Sequence, residues 1–195
     1  YAEVNITGVP TVQVPTTVLT LRTDKTESPP FGQQELDRTV AYNTAFNANI
    51  NIGDHTLTAI TGETVSLESY KGKVVVLGLF HICDPCMMQG STLQKVFEMT
   101  KGKDVAVVGV NSSGNAKKDV GEFLSAFPVK VTYPYLLDPG KVTDKLYGGG
   151  KFIPNVYVID QAGVIRWQRV GNMDLAGADV IAAEVEKLLA SPAKM

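Results

Sequence analysis

The chain has 195 residues, of which 44% are hydrophobic and 19% charged, so it can form one well-packed domain with an extension, or two small domains. Its 18 Lys and Arg residues nearly balance its 20 Asp and Glu residues. The resulting net charge of −2 gives no electrostatic argument for nucleic acid or an anionic membrane as a partner, and two cysteines are too few for a disulfide-built scaffold.

The first 47 residues differ in pattern from the remainder of the chain. Short β-branched runs separated by prolines and a glycine predict extended strands of the edge type, and a polar, proline-ended stretch after them predicts a linker. We therefore predict a β-rich N-terminal extension and linker over residues 1–47 and a main domain over residues 48–195. Because the chain begins at Tyr1, we expect an upstream segment outside the given sequence, such as a signal or a membrane anchor.

From residue 48 onward, strand and helix patterns alternate regularly. The predicted strands are 55–60, 64–67, 74–80, 105–110, 133–137, 156–159 and 164–170. The predicted helices begin at the cysteine motif and at residues 116, 141 and 179. Strand–helix–strand units imply parallel pairing, and the hairpins that open and close the domain imply antiparallel pairing. The order predicts a mixed, three-layer α/β sheet.

The two cysteines enclose the motif Cys83-Asp84-Pro85-Cys86, between a buried strand and the start of a helix. A helix N-terminus favours an anion, so we expect Cys83 to be a reactive thiolate. Cys86, one turn further along, is close enough to resolve a mixed disulfide formed at Cys83. Pro85 suits the first helical turn, where its missing N–H is not needed. The motif predicts a redox-active pair.

A static disulfide and a metal site are the alternative interpretations of this pair. A static disulfide would close a very short loop and would therefore stabilise little. A metal site would need two further ligands, for which the chain offers only His55 and His81, and covalent haem attachment needs a histidine where Met87 stands. We expect no metal and no cofactor other than the Cys83–Cys86 disulfide itself.

A second motif, Ile153-Pro154, precedes the predicted strand 156–159. Two interpretations are open. The proline begins an edge strand, or it follows a cis peptide bond that lies opposite the cysteines. A cis proline there would expose the backbone of Ile153 to an incoming extended peptide.

Together these motifs resemble the thioredoxin superfamily and, more narrowly, its TlpA/ResA-like extracytoplasmic members. The resemblance covers about residues 50–190. The matching pieces are 61–67, 70–76, the Cys83–Cys86 motif, Ile153-Pro154, 157–160, 163–165 and Gly171.

The resemblance implies a protein-disulfide oxidoreductase in which Cys83 is the nucleophile, Cys86 the resolving thiol and Pro154, with Ile153, the substrate cradle. It implies a periplasmic or otherwise extracytoplasmic location in a bacterium, often with an N-terminal membrane anchor. It also implies a membrane thiol–disulfide carrier as electron donor. The implied clients are proteins with disulfides, as in cytochrome c biogenesis or the assembly of metal-site proteins.

Three positions depart from the family pattern. Ile82 stands where a tryptophan is usual, Leu77 occupies the place of thioredoxin's buried acid, and Gln89 replaces a proton-relaying glutamate and cannot titrate. Asp84 is then the carboxylate nearest to the pair. Its charge would oppose a thiolate at Cys83, which favours the disulfide and predicts a reductant.

Three other functions are possible on the same fold. A metal-assembly protein usually has a longer cysteine spacing and a late histidine, whereas no histidine follows His81. A peroxiredoxin expects threonine three residues before the reactive cysteine, where Phe80 stands. A redox-inert binding module with a fixed Cys83–Cys86 disulfide stays an alternative hypothesis.

Overall fold

The computed structural model describes residues 56–146, 153–171 and 173–191, so the predicted extension 1–47 and the boundary after it lie outside the described residues. The strands are β1 Thr56–Ala59, β2 Thr64–Ser66, β3 Val74–Phe80, β4 Val105–Asn111, β5 Tyr135–Leu137, β6 Asn155–Ile159 and β7 Ile165–Val170. The helices are α1 Asp84–Met99, α2 Lys117–Ser125, α3 Val142–Leu146 and α4 Gly177–Ala190, with a 3-10 helix at Leu67–Tyr70. The elements follow the predicted order. None of the helices in these residues is long and apolar enough to cross a membrane.

The strands form one seven-stranded sheet in the order β2-β1-β5-β4-β3-β6-β7. β3, β4 and β5 are parallel, because α1 and α2 carry the chain back between them. β6 runs antiparallel to β3, and the hairpins β1–β2 and β6–β7 close the two ends. The predicted mixed sheet and its N-terminal hairpin are confirmed.

β3 is buried along its whole length, and its side chains alternate between two apolar clusters. The first cluster packs against the helices and includes Val74, Val76, Phe80, Leu93, Phe123 and Ile181. The second lies on the opposite face and includes Val75, Leu77, Leu79, Leu136 and Tyr157. Burial on both faces explains why this strand is a continuous apolar run rather than an alternating one.

Some element ends differ from the predicted ones by one or two residues. β5 begins at Tyr135 rather than at residue 133, although Tyr133 is buried as a core residue would be. The Tyr133 hydroxyl donates a hydrogen bond to the Gly90 carbonyl of α1 at 3.2 Å. Tyr133 is thus held by a side-chain contact rather than by the sheet ladder.

Gly90 marks a close approach between α1 and the chain that follows α2. The Phe127 ring occupies the space where a Cβ on Gly90 would stand, and the Tyr133 hydroxyl would lie 3.3 Å from that Cβ. Glycine permits this contact because it has no Cβ. The contact matters for the site because α1 carries both cysteines.

We expect Gly90→Ala to lower the free energy of unfolding by about 1–3 kcal/mol, because the new methyl group must displace the Phe127 ring. Gly121→Ala is the matched control, since Gly121 is also helical and nothing lies within 4 Å of its Cβ position. The control should be neutral or stabilising by about 0.5–1 kcal/mol. Urea denaturation measures both changes, and equal losses would contradict the packing argument.

Candidate redox site

The structure joins Cys83 and Cys86 in a disulfide at the start of α1, with a Cα–Cα distance of 5.2 Å. Cys83 is the N-cap of the helix and has an extended backbone, with φ −159° and ψ 154°. Pro85 lies in the first turn, where a residue without an N–H costs nothing. The end of the buried strand β3 and the start of α1 together set the position of the pair.

The two sulfur atoms differ in exposure but receive similar hydrogen bonds. Cys86 is fully buried, whereas Cys83 is half-buried. The Cys86 N–H donates to Cys83 Sγ at 3.3 Å, and the His81 N–H donates to Cys86 Sγ at 3.4 Å. Hydrogen bonds from N–H groups stabilise sulfur anions, so each cysteine has a donor that would stabilise its thiolate. Because only Cys83 is partly exposed, only Cys83 is accessible to another protein.

The three residues predicted to modulate the pair have different surroundings. Asp84 and Pro85 are exposed at the start of α1. Gln89 is fully buried, and its Oε1 accepts a hydrogen bond from the Met173 N–H at 2.8 Å, while its Nε2 has no hydrogen-bond partner. Gln89 therefore connects α1 to the segment that leads into α4. The effect of these residues on the cysteines stays a prediction.

The Ile153–Pro154 peptide bond is cis. β6 lies between β3 and β7, so the alternative that this proline begins an edge strand is wrong. Leu79 pairs with Asn155, which places Pro154 and Ile153 beside the end of β3 that leads to the cysteines. Pro154 is buried and Ile153 half-buried. Their role as a substrate cradle stays a prediction.

Sequence reasoning considered His81 only by itself and did not bring it together with two carboxylates at the same end of the sheet. His81 follows β3, and its Nε2 lies 3.7 Å from Oδ2 of Asp144 in α3. Asp138, directly after β5, is a buried carboxylate. A sequence signal was available, because each of these strands is an apolar run followed at once by a polar residue, and parallel strands bring such residues together.

Comparison with known proteins identifies the family to which the chain belongs. A family model described as the AhpC/TSA family matches residues 50–168, more than half of the chain. The chain belongs to the AhpC/TSA family.

Individual relatives of this AhpC/TSA-family protein are thioredoxin-like. The chain is 32% identical over 123 residues to the thioredoxin-like protein YneN of Bacillus subtilis (strain 168), covering 62% of this chain and 69% of that protein. A candidate thiol:disulfide interchange protein, DsbE, from Chlorobium tepidum superposes with a TM-score of 0.61 at 28% identity, covering 71% of this chain and 94% of the other. StoA from Bacillus subtilis superposes with a TM-score of 0.55 at 25% identity, covering 66% and 93%. The predicted thioredoxin-like fold and the predicted class, protein-disulfide oxidoreductase, are confirmed.

The unequal exposure of the two sulfur atoms predicts unequal reactivity. After reduction, we expect iodoacetamide to modify Cys83 at least about tenfold faster than Cys86, because thiolate character and exposure together control cysteine reactivity. Quenched alkylation followed by peptide mass spectrometry measures the two rates. Denatured protein is the control and should show similar rates at both positions. Faster modification of Cys86 in the folded protein would contradict the assignment.

Proposed function

We propose that this AhpC/TSA-family protein is a reductant that transfers electrons from a membrane thiol–disulfide carrier to disulfides of extracytoplasmic bacterial client proteins. The observation that carries the proposal is the asymmetric pair, with a half-buried Cys83 at a helix N-terminus and a fully buried Cys86 one turn away. This arrangement suits a nucleophile that meets the client and a second thiol that stays inside.

The exchange follows from this asymmetry. The Cys83 thiolate attacks one sulfur of the client disulfide, and the other client sulfur leaves as a thiolate. Cys86 then loses its proton and attacks Cys83 Sγ, which breaks the Cys83–client bond and re-forms the Cys83–Cys86 disulfide. Two electrons pass to the client, and the carrier dithiol restores them. Ile153 and Pro154, at the same end of the sheet, would hold the client backbone next to Cys83.

The reducing direction rests on Asp84. Its exposed carboxylate follows Cys83 directly in the first turn of α1. A negative charge there opposes a thiolate at Cys83 and offsets part of the stabilisation by the helix N-terminus. A less stable thiolate favours the disulfide, which makes the couple more reducing.

The clients and the location come from the resemblance to TlpA/ResA-like proteins and from the thiol:disulfide interchange protein among the relatives. We assign clients of the cytochrome c maturation or metal-site type, on the outer side of the cytoplasmic membrane. The redox-active Cys83–Cys86 disulfide would be the only cofactor that this function requires.

Single-cysteine variants test this proposal with a disulfide-bonded model protein such as insulin. Cys83→Ser should abolish reduction, because the nucleophile is lost. Cys86→Ser should retain attack and accumulate a mixed disulfide, because nothing resolves it. Non-reducing electrophoresis and mass spectrometry detect the trapped species. Full activity of Cys83→Ser would contradict the proposal, and no exchange by the unaltered reduced protein would favour the redox-inert alternative.

A further inference from the structure

Four polar residues meet where β3, β4 and β5 end, and we call them the polar row: His81, Ser112, Asp138 and Asp144. The Ser112 N–H donates to the Phe80 carbonyl at 3.0 Å, and the Asp138 N–H donates to the Asn111 carbonyl at 3.1 Å. These bonds extend the parallel ladder by one residue, so His81, Ser112 and Asp138 lie side by side. Asp144 joins them from α3 through its 3.7 Å contact with His81.

Every member of the polar row has a buried side-chain atom without a hydrogen-bond partner. The four atoms are His81 Nε2, Ser112 Oγ, Asp138 Oδ1 and Asp144 Oδ1. The other Asp138 oxygen accepts from the N–H and the hydroxyl of Thr143, at 2.7 and 2.6 Å, which fixes the carboxylate in place. Buried polar atoms are costly to leave unpaired, and a cluster of them is typical of a site that holds ordered water.

A metal ion fits this group less well than water. Within residues 56–146, 153–171 and 173–191, no three His, Cys, Asp or Glu side chains are placed to hold a metal ion together. Water needs only two to four polar partners, and the polar row offers four atoms for that purpose.

The polar row connects to the redox pair through His81. The main-chain N–H of His81 donates to Cys86 Sγ, so this fully buried sulfur lies next to the backbone of the first residue of the row. Buried Leu77 and Gln89 cannot exchange protons, and Asp84 is exposed. Two titratable groups contact His81 directly, namely Asp144 of α3 and Cys86 of α1. Asp138 follows the neighbouring strand β5 at the same end of the sheet, and Asp84 of α1 is exposed. Lys141, before α3, is exposed.

We propose that the polar row holds water and passes protons between solvent and the buried Cys86 thiol. The inference rests on the proposed disulfide exchange. When Cys86 attacks Cys83, its proton goes to the row and the client leaves as a thiolate. When a donor thiolate attacks Cys83, the Cys83–Cys86 bond breaks and Cys86 takes a proton back. The electrons come from the donor dithiol in every turnover, and His81 and Asp144 are positioning residues.

The test follows the reduced protein as it reacts with oxidised glutathione, using acid quench and mass spectrometry between about pH 5 and 8, where histidine side chains change charge. His81→Gln should slow release of glutathione from the mixed disulfide by about tenfold near neutral pH, less than a directly placed acid–base group would contribute. Formation of the mixed disulfide at Cys83 should change less than about twofold, because Cys83 is reached without the polar row. Asp144→Asn should act in the same direction with a smaller effect.

Asp179→Asn is the matched control, because Asp179 pairs with Lys95 of α1 at 3.2 Å but lies outside the polar row. This variant should resolve the mixed disulfide at the unaltered rate and with the unaltered pH profile. Urea denaturation verifies that each variant is folded. Unaltered rates and pH profiles in both His81→Gln and Asp144→Asn would overturn the inference.

A thiol titration separates this inference from the proposed function. In Cys83→Ser protein, the ultraviolet absorbance of the thiolate reports the pKa of the remaining Cys86 thiol without any exchange reaction. Adding His81→Gln should raise that pKa, because the polar row then loses the side chain that positions it to take up the Cys86 proton and to stabilise the thiolate left behind. An unchanged pKa would overturn the inferred role of the polar row in proton transfer. Failure of the unaltered protein to exchange with glutathione would overturn the proposed function alone.

Discussion

The junction between β3 and α1 is the constraint on which the rest of the site depends. β3 is buried along its whole length and ends at Phe80, and only His81 and Ile82 separate this end from the N-cap of α1. Cys83 occupies that cap and accepts the Cys86 N–H. A sulfur at this position meets an unpaired amide and the positive end of the helix dipole, which is what a reactive thiolate requires.

The polar residues at the ends of β3, β4 and β5 explain how a thiol buried beside the apolar core can take part in redox chemistry. Parallel strands direct their carboxyl ends to one edge, where the chain becomes polar at once after each apolar run. Cys86 lies between the two environments, with apolar neighbours on one side and the His81 N–H on the other. A thiol buried only in the core would lack an exchange route for its proton, and a fully exposed one would compete with Cys83 for clients.

Much of the fold and the central pair could be predicted because local chemistry determines them. The run from Val74 to Phe80, the proline in the first turn of α1 and the glycine-containing hairpin turns each specify an element without long-range information. The burial of Gln89 against Met173 and the meeting of His81 with Asp144 could not be predicted in the same way. These contacts join residues 84 and 63 positions apart, and only the register of the sheet and the path of α3 bring them together.

The reduction potential of the Cys83–Cys86 couple tests the central claim most directly. The protein is equilibrated with glutathione or dithiothreitol buffers at neutral pH, and free thiols are alkylated and counted by mass spectrometry. The account predicts a two-electron couple at or below about −220 mV, as for a reductant supplied by a membrane donor. A value near about −120 mV would identify an oxidant and contradict the role given to Asp84, and a disulfide that never equilibrates would contradict the redox assignment itself.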